Sequence, residues 1–223
     1  MGLLLDWSVI DDVMLDMDGT LLDLHFDSHF WLEFVPQKYA EENGMSYEKA
    51  REELLGRYRE VEGTLEWYCV DHWSRKLGLD IALLKEEVDH LIAIHPYVVD
   101  FLEMVKQVGK RTILVTNAHQ KSLALKMKKT QLDHHFDEIV SAHHLGHPKE
   151  AQEFWACLHA HLPFDPEKTL FVDDSISVLA SARQYGIANV VAVLKPDTTE
   201  PERILDGFDG ILGFKELLDG LPG

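Results

Sequence analysis

Two aspartates, Asp16 and Asp18, directly follow an apolar run and offer the clearest chemistry in the chain. Residues 13–20 read Val-Met-Leu-Asp-Met-Asp-Gly-Thr, and the alternation of side chains along a strand brings both carboxylates close together just past its end. Two close carboxylates resist joint ionisation unless a cation lies between them or one carries a proton. The pair therefore suits a nucleophile, a proton donor and a hard metal ion. A strand that ends in a surface turn would also explain this sequence, because Asp and Gly are common turn residues.

Polar groups that fit the same chemistry follow two later apolar runs. Thr116 and Asn117 offer a hydroxyl and an amide after one run, and Asp173 and Asp174 form a second acidic pair after another. Lys149 lies between them in the chain, near the predicted start of a helix. Each group alone has an ordinary explanation as a helix cap or a solvated surface residue. Their common position at strand-to-helix junctions favours one shared site.

The elements that must position these groups are apolar runs separated by helical patterns. Strands are predicted at residues 13–16, 112–116, 138–141, 169–173 and 189–194. Nearly unbroken apolar strands are typical of parallel sheets covered on both faces, and their alternation with helices indicates a doubly wound α/β fold. Such sheets bind ligands beyond the carboxyl ends of their strands, where the polar groups above are expected.

The stretch from residue 22 to about residue 95 interrupts this alternation with three apolar stripes at helical spacing and no convincing strand. The stripes comprise Ala50, Leu54, Leu55, Tyr58 and Val61, then Leu65, Tyr68, Cys69 and Leu77, and finally Leu83, Leu84, Val88, Leu91 and Ile92. Thr64 and Asp80 are expected to begin helices, and Gly78 to end one. We therefore expect a helical insertion over the strand ends, able to close on a substrate and exclude water.

The composition predicts a globular protein and limits its partners. The chain has 223 residues, of which 46% are hydrophobic, and a formal net charge of -18. That charge disfavours nucleic-acid polymers, which need clustered Lys and Arg. A small anionic substrate is still compatible with this net charge if nearby cations or a metal ion offset the negative field of the protein. No apolar run approaches the ~20 residues of a membrane span, so no membrane partner is expected, and the oligomeric state is left open.

Cysteine usage and the first residues indicate the cytoplasm. Cys69 and Cys157 lie in apolar, helix-like contexts and are expected to be reduced thiols. The N-terminus lacks a basic flank and a sufficient apolar stretch for a signal peptide, and Asp6 replaces the Ser or Thr of a myristoylation signal. Residues 206–223 are expected to form a closing helix with polar turns. The histidines at 134, 135, 143, 144 and 147 lack the spacing of a closed zinc site, so we expect no metal there.

The string Asp-Met-Asp-Gly-Thr-Leu-Leu after an apolar strand resembles the first motif of the haloacid dehalogenase (HAD) superfamily of phosphatases. The later groups match the remaining motifs in order, with Thr116 in the second, Lys149 in the third, and Asp173 and Asp174 in the fourth. Many members have Gly-Asp in the fourth motif. Aligned on Ser175, Asp174 therefore takes the metal-ligand place, and Asp173 is either an outer group or a second ligand.

The resemblance covers nearly the whole chain and implies an α/β fold. The expected architecture is a HAD-like Rossmannoid parallel sheet flanked by helices, with an all-helical cap domain inserted after the first strand. The implied boundaries are a catalytic core of residues 1–21 and 96–223 and a cap of residues 22–95.

The resemblance also implies Mg²⁺-dependent hydrolysis of a phosphomonoester through an aspartyl-phosphate. Asp16 is the implied nucleophile, and Asp18 the general acid and base. The implied Mg²⁺ ligands are Asp16, Asp18 (through its backbone carbonyl) and Asp174, an all-oxygen set that suits this ion. The implied phosphate-binding residues are Thr116, Asn117 and Lys149.

Further strings are similar to the bacterial GMP/IMP nucleotidase branch, which hydrolyses purine 5'-monophosphates. They are Leu-Asp-Met-Asp-Gly-Thr-Leu-Leu-Asp-Leu, Phe30-Trp31, Trp67-Tyr68-Cys69, Thr-Asn-Ala-His and Pro-Lys-Glu. Candidates for a base-stacking wall are His25, Phe26, Phe30, Trp31, Trp67, Tyr68 and Trp73. For any one of these residues, packing inside a small helical domain is the more common explanation. His119 is a further candidate for contact with substrate.

Several alternatives stay open at this point. A phosphoglycolate or sugar-phosphate phosphatase would use the same scaffold and the same motifs. A dehalogenase is disfavoured because that branch typically lacks the second acid, which is present here as Asp18. A receiver-type phospho-accepting signalling module also combines an Asp pair, a hydroxyl and a Lys, but it lacks a long helical insertion. A non-enzymatic binding protein is disfavoured because no motif residue is lost.

Overall fold

Six strands form one sheet in this computed structural model, which describes residues 5–221. In chain order the strands are β1 (Asp12–Leu15), β2 (Arg111–Thr116), β3 (Glu138–Ser141), β4 (Thr169–Asp173), β5 (Asn189–Val193) and β6 (Asp209–Ile211). All pairs are parallel, and the order across the sheet is β3-β2-β1-β4-β5-β6. Residues 1–4, which carry part of the expectation that no signal peptide is present, and residues 222–223 lie outside the described residues.

The predicted α/β fold with a parallel sheet is confirmed, and β3 and β4 have the predicted bounds. The expectation for residues 206–223 was wrong in part, because β6 precedes the helix there. This strand has three residues, too few for a period of two to show. Gly210 stands at its centre, where an added Cβ would lie 2.6 Å from Leu194 Cδ2, so the strand packs too closely to carry an apolar side chain there.

Alternate side chains along the central strands pack into two apolar cores on opposite faces of the sheet. Val13 and Leu15 of β1 pack into the first core, and Met14 packs into the second. Similarly, Leu170 of β4 packs into the first core and Phe171 into the second. Burial on both faces explains why these strands are continuously apolar in the sequence.

Helices cover both faces, and most of them lie between β1 and β2. That interval contains α1 (His25–His29), a π-helical stretch (Phe30–Phe34), α2 (Val35–Asn43), α3 (Tyr47–Val61), α4 (Leu65–Tyr68), α5 (Val70–Leu77), α6 (Ile81–Glu87), a 3-10 turn (Asp89–Leu91) and α7 (Val98–Gln107). We refer to residues 25–91 as the helical segment. After β2 come α8 (Gln120–Thr130), a 3-10 turn (Leu132–His135), α9 (Ala142–Leu145), α10 (Gln152–His161), a second 3-10 turn (Pro166–Lys168), α11 (Ile176–Tyr185) and α12 (Phe214–Asp219).

No helix within residues 5–221 is long and apolar enough to cross a bilayer.

The local signals in the helical segment explain where its helices begin and end. Asp80 begins α6 by accepting a hydrogen bond from the Leu83 backbone N–H at 3.1 Å, and Gly78 ends α5 in the left-handed conformation at φ 69°. The predicted middle helix is two helices, because Cys69 adopts an extended conformation between α4 and α5. Leu83 is 55% exposed, so the third predicted stripe was wrong at that residue.

The chain leaves and re-enters the sheet region through two crossings that lie side by side. The Asp23 N–H donates to the Ala93 carbonyl at 2.9 Å, and the His95 N–H donates to the Leu21 carbonyl at 2.9 Å. Leu22 also pairs with Ile94 in an antiparallel bridge. The division at residues 22 and 95 into a core and a cap domain stays a prediction, and these crossings lie at its proposed boundary.

The tight turn after β1 holds Gly19 against the end of β4. Its N–H donates to the Leu22 carbonyl at 2.8 Å, and its φ of 82° is a conformation that L residues rarely adopt. A Cβ at Gly19 would lie 2.7 Å from Asp174 Cγ. Glycine is therefore required here twice, for backbone conformation and for space.

We expect Gly19→Ala to lower the free energy of unfolding more than Gly44→Ala does. Gly44 has a similar φ of 62° and nothing within 4 Å of an added Cβ, so its substitution incurs only the backbone penalty of about 1–2 kcal/mol. Gly19→Ala adds the displacement of Asp174. Urea unfolding of both variants measures the difference, and equal losses would show that the approach to Asp174 has no energetic consequence.

Candidate active site

Three predicted site residues converge because β1 pairs with both β2 and β4. Thr116 ends β2, Asp173 ends β4, and Asp16 immediately follows β1. Parallel neighbours in register finish at the same edge of the sheet, and β1 lies centrally between the other two. The topology therefore gathers a carboxylate, a hydroxyl and a second carboxylate without help from long loops.

Lys149 joins this group from the segment before α10 and is 2% exposed. Its Nζ donates hydrogen bonds to Asp16 Oδ1, to Asp173 Oδ2 at 2.7 Å and to the Val115 carbonyl at 3.1 Å. Burial alone lowers the pKa of a lysine, but the carboxylates of Asp16 and Asp173 outweigh it and raise the pKa of Lys149 above its ordinary value. This ammonium group is therefore charged and fixed against the carboxylate of Asp16.

Asp16, Asp173 and Asp174 form an acidic cluster whose carboxylate oxygens all lie within 4.8 Å of one another. Burial raises the pKa of each to about 6. Repulsion from Asp173 adds to the shift of Asp16, and repulsion from Asp16 adds to that of Asp174. A compact set of oxygen ligands that resists joint ionisation is suited to a hard divalent cation.

The two aspartates of the fourth motif have different surroundings. Asp173 Oδ1 accepts from the Ser175 N–H at 2.8 Å, while its Oδ2 accepts from Lys149. Asp174 is more exposed, and its Oδ2 accepts from Arg203 at 3.0 Å. These contacts favour Asp174 as the more open metal ligand and Asp173 as the partner of Lys149. Arg203 was not predicted, because it lies in a polar stretch after β5 that shows no motif.

Thr116 and Asn117 are both buried at this edge. Thr116 Oγ1 accepts from the Ala118 N–H at 3.0 Å. The Asn117 side chain accepts from the Lys149 N–H at 2.9 Å and donates to Glu150 at 3.0 Å. The side-chain amide of Asn117 therefore positions the backbone of Lys149 in this structure, and its contact with a substrate stays a prediction.

Asp18 belongs to a separate group of buried charges, which we call the lysine network: Asp18, Asp27, Lys85 and Lys126. Lys126 Nζ donates to Asp18 Oδ1 and to Asp27 Oδ2, both at 2.6 Å, and Lys85 Nζ donates to Asp27 Oδ1 at 2.9 Å. Burial raises the pKa of Asp18 to about 6, although Lys126 acts in the opposite direction. The network joins α1 and α6 of the helical segment to α8 beside the sheet.

Sequence reasoning missed both lysines of this network, although a signal was present. Lys85 lies one residue after Leu84 and four after Ile81, and all three are buried. Lys126 lies four residues after Ser122 on the buried side of α8. A lysine in phase with the buried face of a helix is the feature to look for, because an unpaired charge is rarely buried.

A cavity of about 370 Å³ opens between the helical segment and the strand ends. Asp16, Asp18, Thr116, Asn117, Lys149, Asp173 and Asp174 line one end. Its other walls include Trp31, Tyr58, Trp67, Tyr68 and Trp73. The volume lies within the range of ligand cavities. The structure therefore brings every predicted site residue to one cavity.

The predicted aromatic wall is present only in part. Trp31, Trp67, Tyr68 and Trp73 line the cavity, whereas His25, Phe26, Phe30 and His119 are not among its lining residues. Phe26 and Phe30 are instead buried beneath Lys85, whose Nζ lies 4.8 Å and 4.4 Å from their ring centroids. Tyr58 was missed, because its position in the α3 stripe looked like ordinary packing.

Known proteins with similar sequences support a hydrolase. The family described as haloacid dehalogenase-like hydrolase matches residues 10–186. The GMP/IMP nucleotidase YrfG of Escherichia coli K12 is 40% identical over 96% of this chain and 97% of its own length. A phosphorylated carbohydrates phosphatase of Thermotoga maritima is 24% identical over 83% of this chain and 86% of its own length.

A solved structure of similar shape supports the fold. The crystal structure of a HAD phosphatase from Thermococcus onnurineus has a TM-score of 0.80 at 23% identity, and the match covers 94% of this chain and 97% of that one. With the family match over most of the chain and the convergence of the four motifs at one sheet edge, the relationship is established. The chain belongs to the haloacid dehalogenase-like hydrolase family.

Proposed function

We propose that this protein is a Mg²⁺-dependent phosphatase that hydrolyses purine nucleoside 5'-monophosphates such as GMP and IMP through an aspartyl-phosphate on Asp16. The observation that carries the proposal is the contact of Asp16 with Lys149 beside the acidic cluster, at the floor of a cavity with aromatic walls. The 40% identity to a GMP/IMP nucleotidase supports the choice of substrate.

The balance of charge in and around the cavity supports a divalent cation. The carboxylates are Asp16, Asp18, Asp27, Asp173 and Asp174, and the paired cations are Lys85, Lys126, Lys149 and Arg203. Fully ionised, these groups carry an excess of negative charge that opposes a phosphate dianion. When bound by Asp16, Asp174 and the Asp18 backbone carbonyl, Mg²⁺ supplies charge neutralisation and fixes the orientation of the phosphate.

Asp16 acts as the nucleophile. One of its carboxylate oxygens forms a bond to phosphorus as the bond between phosphorus and the ester oxygen breaks. Lys149 holds Asp16 in place and faces the phosphate oxygens with a second positive charge, while Thr116 donates a hydrogen bond to one of them. A positioned carboxylate with fixed cations meets the main demand of phosphoryl transfer, which is alignment and charge stabilisation.

Asp18 acts as the general acid and then as the general base. Its raised pKa of about 6 keeps a usable protonated fraction near neutral pH. That proton passes to the leaving ester oxygen, and Asp18 then takes a proton from the water that attacks the aspartyl-phosphate. Attack by this water breaks the bond between phosphorus and Asp16 and releases inorganic phosphate. Lys126 orients the carboxylate of Asp18 throughout.

The aromatic side of the cavity accounts for the nucleoside half of the substrate. Trp31, Trp67 and Tyr68 border the space above the acidic end and present flat apolar surface, which suits a purine ring. Trp73 is 2% exposed, and its Nε1 donates to the Trp67 carbonyl at 2.8 Å. We therefore assign Trp73 to supporting the wall and the other three to contacting the base.

We expect Asp16→Asn to abolish phosphate release from GMP, because an amide is a poor nucleophile, while the variant stays folded. Phosphate release and the urea unfolding midpoint measure the two properties. Asp11→Asn makes the same chemical change at an exposed position before β1 and should retain full activity. Wild-type turnover by Asp16→Asn would refute the mechanism.

We expect a substrate panel to favour GMP and IMP over CMP and phosphoglycolate by at least about tenfold in kcat/KM, because a purine ring covers more of the aromatic wall than a pyrimidine or no ring does. The 40% identity to a GMP/IMP nucleotidase supports the expectation that AMP ranks below them as well. Initial rates of phosphate release provide the measurement. A preference for phosphoglycolate or a sugar phosphate would retain the mechanism and replace the substrate class.

We expect Mg²⁺ to stabilise the protein more at about pH 7.5 than at about pH 5. The raised pKa values of Asp16 and Asp174, about 6 in place of 3.8, mean that the folded protein binds extra protons between those values. Their contribution to stability in the metal-free protein is therefore lost as the pH rises through this window. Mg²⁺ must displace these protons at low pH, which weakens its apparent affinity by about tenfold per carboxylate one unit below the pKa.

The rise in Tm on adding Mg²⁺, measured at both pH values by calorimetry, checks this expectation. Asp174→Asn should lose most of the rise at the higher pH. A Mg²⁺-induced shift of the same size at both pH values would contradict the assignment of these carboxylates as ligands.

A further inference from the structure

Outside the active-site cavity, Cys69, His119 and His143 bring one sulfur and two ring nitrogens within 4.8 Å of one another. We call this group the Cys-His cluster. The rings of His119 and His143 meet edge to face, with centroids 5.0 Å apart. The histidines at 134, 135, 144 and 147 do not belong to it. The residues that assemble here are far apart in the sequence, so spacing rules could not find them.

Each member of the Cys-His cluster comes from a different part of the fold. Cys69 lies between α4 and α5 of the helical segment. His119 directly precedes α8 after β2, and His143 lies in α9 after β3. The cluster therefore spans the contact between the helical segment and the sheet.

One ring nitrogen of His143, the buried Nε2, has no hydrogen-bond partner among the described residues. Burial and the nearby imidazole of His119 lower the pKa of His143 to about 4, so the ring is neutral near neutral pH. Burial also lowers the pKa of His119. Neutral imidazoles are the form in which histidines bind a metal ion, and the Cys69 thiol would bind it as a thiolate after releasing its proton to the solvent.

We propose that the Cys-His cluster binds a thiophilic transition-metal ion of the Zn²⁺ class and that this ion fastens the helical segment to the sheet. A thiolate with two imidazoles is a donor set typical of Zn²⁺, and the all-oxygen acidic cluster is typical of Mg²⁺. The two sites therefore select different metals by ligand chemistry.

The geometry requires only a modest contraction. Zn–S and Zn–N bonds of about 2.3 Å and 2.0 Å place tetrahedral ligands about 3.5 Å apart, so each donor moves inward by roughly 1 Å at most. His119 Nδ1 accepts a weak 3.3 Å hydrogen bond from the Lys121 N–H, and its Nε2 lies 3.8 Å from Asp71 Oδ2. Neither contact is strong enough to prevent one of these nitrogens from binding a metal ion, and the other nitrogen keeps its neighbour as an outer partner.

The consequence for activity rests on the proposed function. Tyr68, next to Cys69, lines the cavity and donates to Glu150 Oε1 at 2.6 Å. A metal bond at Cys69 would hold Tyr68 and the adjoining wall against the sheet. Substrate entry and product release need this wall to move, so a bound Zn²⁺ ion slows turnover without touching the Mg²⁺ site.

Cobalt spectroscopy on the full-length protein, stripped of metal with EDTA, tests the binding site directly. Co²⁺ bound at the Cys-His cluster gives a thiolate-to-metal charge-transfer band, which Co²⁺ bound by carboxylates cannot give. We expect the band in the wild type and in Cys157→Ser and His144→Ala, the matched controls. It should disappear in Cys69→Ser, and His143→Ala should weaken Co²⁺ binding by at least about a hundredfold, more than the loss of an outer partner. Absence of the band in the wild type would overturn the proposal.

Turnover in saturating Mg²⁺ with added Zn²⁺ tests the consequence. We expect the Zn²⁺ concentration for half-inhibition to rise at least about tenfold in Cys69→Ser, and to stay unchanged in Cys157→Ser. Equal inhibition of wild type and Cys69→Ser would show that Zn²⁺ acts at the carboxylates and would overturn the fastening role. Because the cobalt band does not depend on turnover, the binding site is judged even if the chain proves to have another substrate.

Discussion

The buried ammonium group of Lys149, held between Asp16 and Asp173, is the constraint on which the rest of the site depends. A lysine this deeply buried is tolerable only when carboxylates and a carbonyl surround it, and removing one partner of such a pair typically costs about 3–5 kcal/mol. The order of the strands meets this need, because β1 and β4 are neighbours and bring Asp16 and Asp173 to the same Nζ. The loop before α10 is also constrained, because the Asn117 side chain holds the Lys149 backbone. The contacts that place Lys149 in the site therefore also help to fix the fold around it.

The lysine network gives Asp18 a different environment from Asp16, although the two aspartates are two residues apart. Asp16 meets a lysine from the sheet side of the cavity, and Asp18 meets Lys126 from α8. The two carboxylates therefore have different cationic partners, which suits the different roles proposed for them, nucleophile for Asp16 and proton donor for Asp18. Since Lys126 also contacts Asp27 of the helical segment, the position of that segment affects the electrostatic environment of Asp18. A movement of the helical segment would therefore change the charges that surround Asp18.

The sequence predicted the parts of the molecule whose signals are local. Apolar runs marked five of the six strands, and polar residues at their ends marked every group that converges on Lys149. What it missed depends on three-dimensional packing: β6 is too short to show a pattern, and Lys85 and Lys126 read as surface lysines until their helices are placed. Cys69, His119 and His143 meet only because the helical segment folds back onto the sheet. Residues that are far apart along the chain form no motif of fixed spacing, so the sequence alone does not reveal that they meet.

The paired crossings at Leu22 and Ile94 have an evolutionary consequence. Because the helical segment departs and returns through adjacent, mutually hydrogen-bonded segments, its ends are as close together as those of a short hairpin. A module joined in this way can be lengthened, shortened or exchanged without any change in the register of the sheet. The edge of the sheet that carries the acidic cluster can thus be inherited intact while the helical segment diverges.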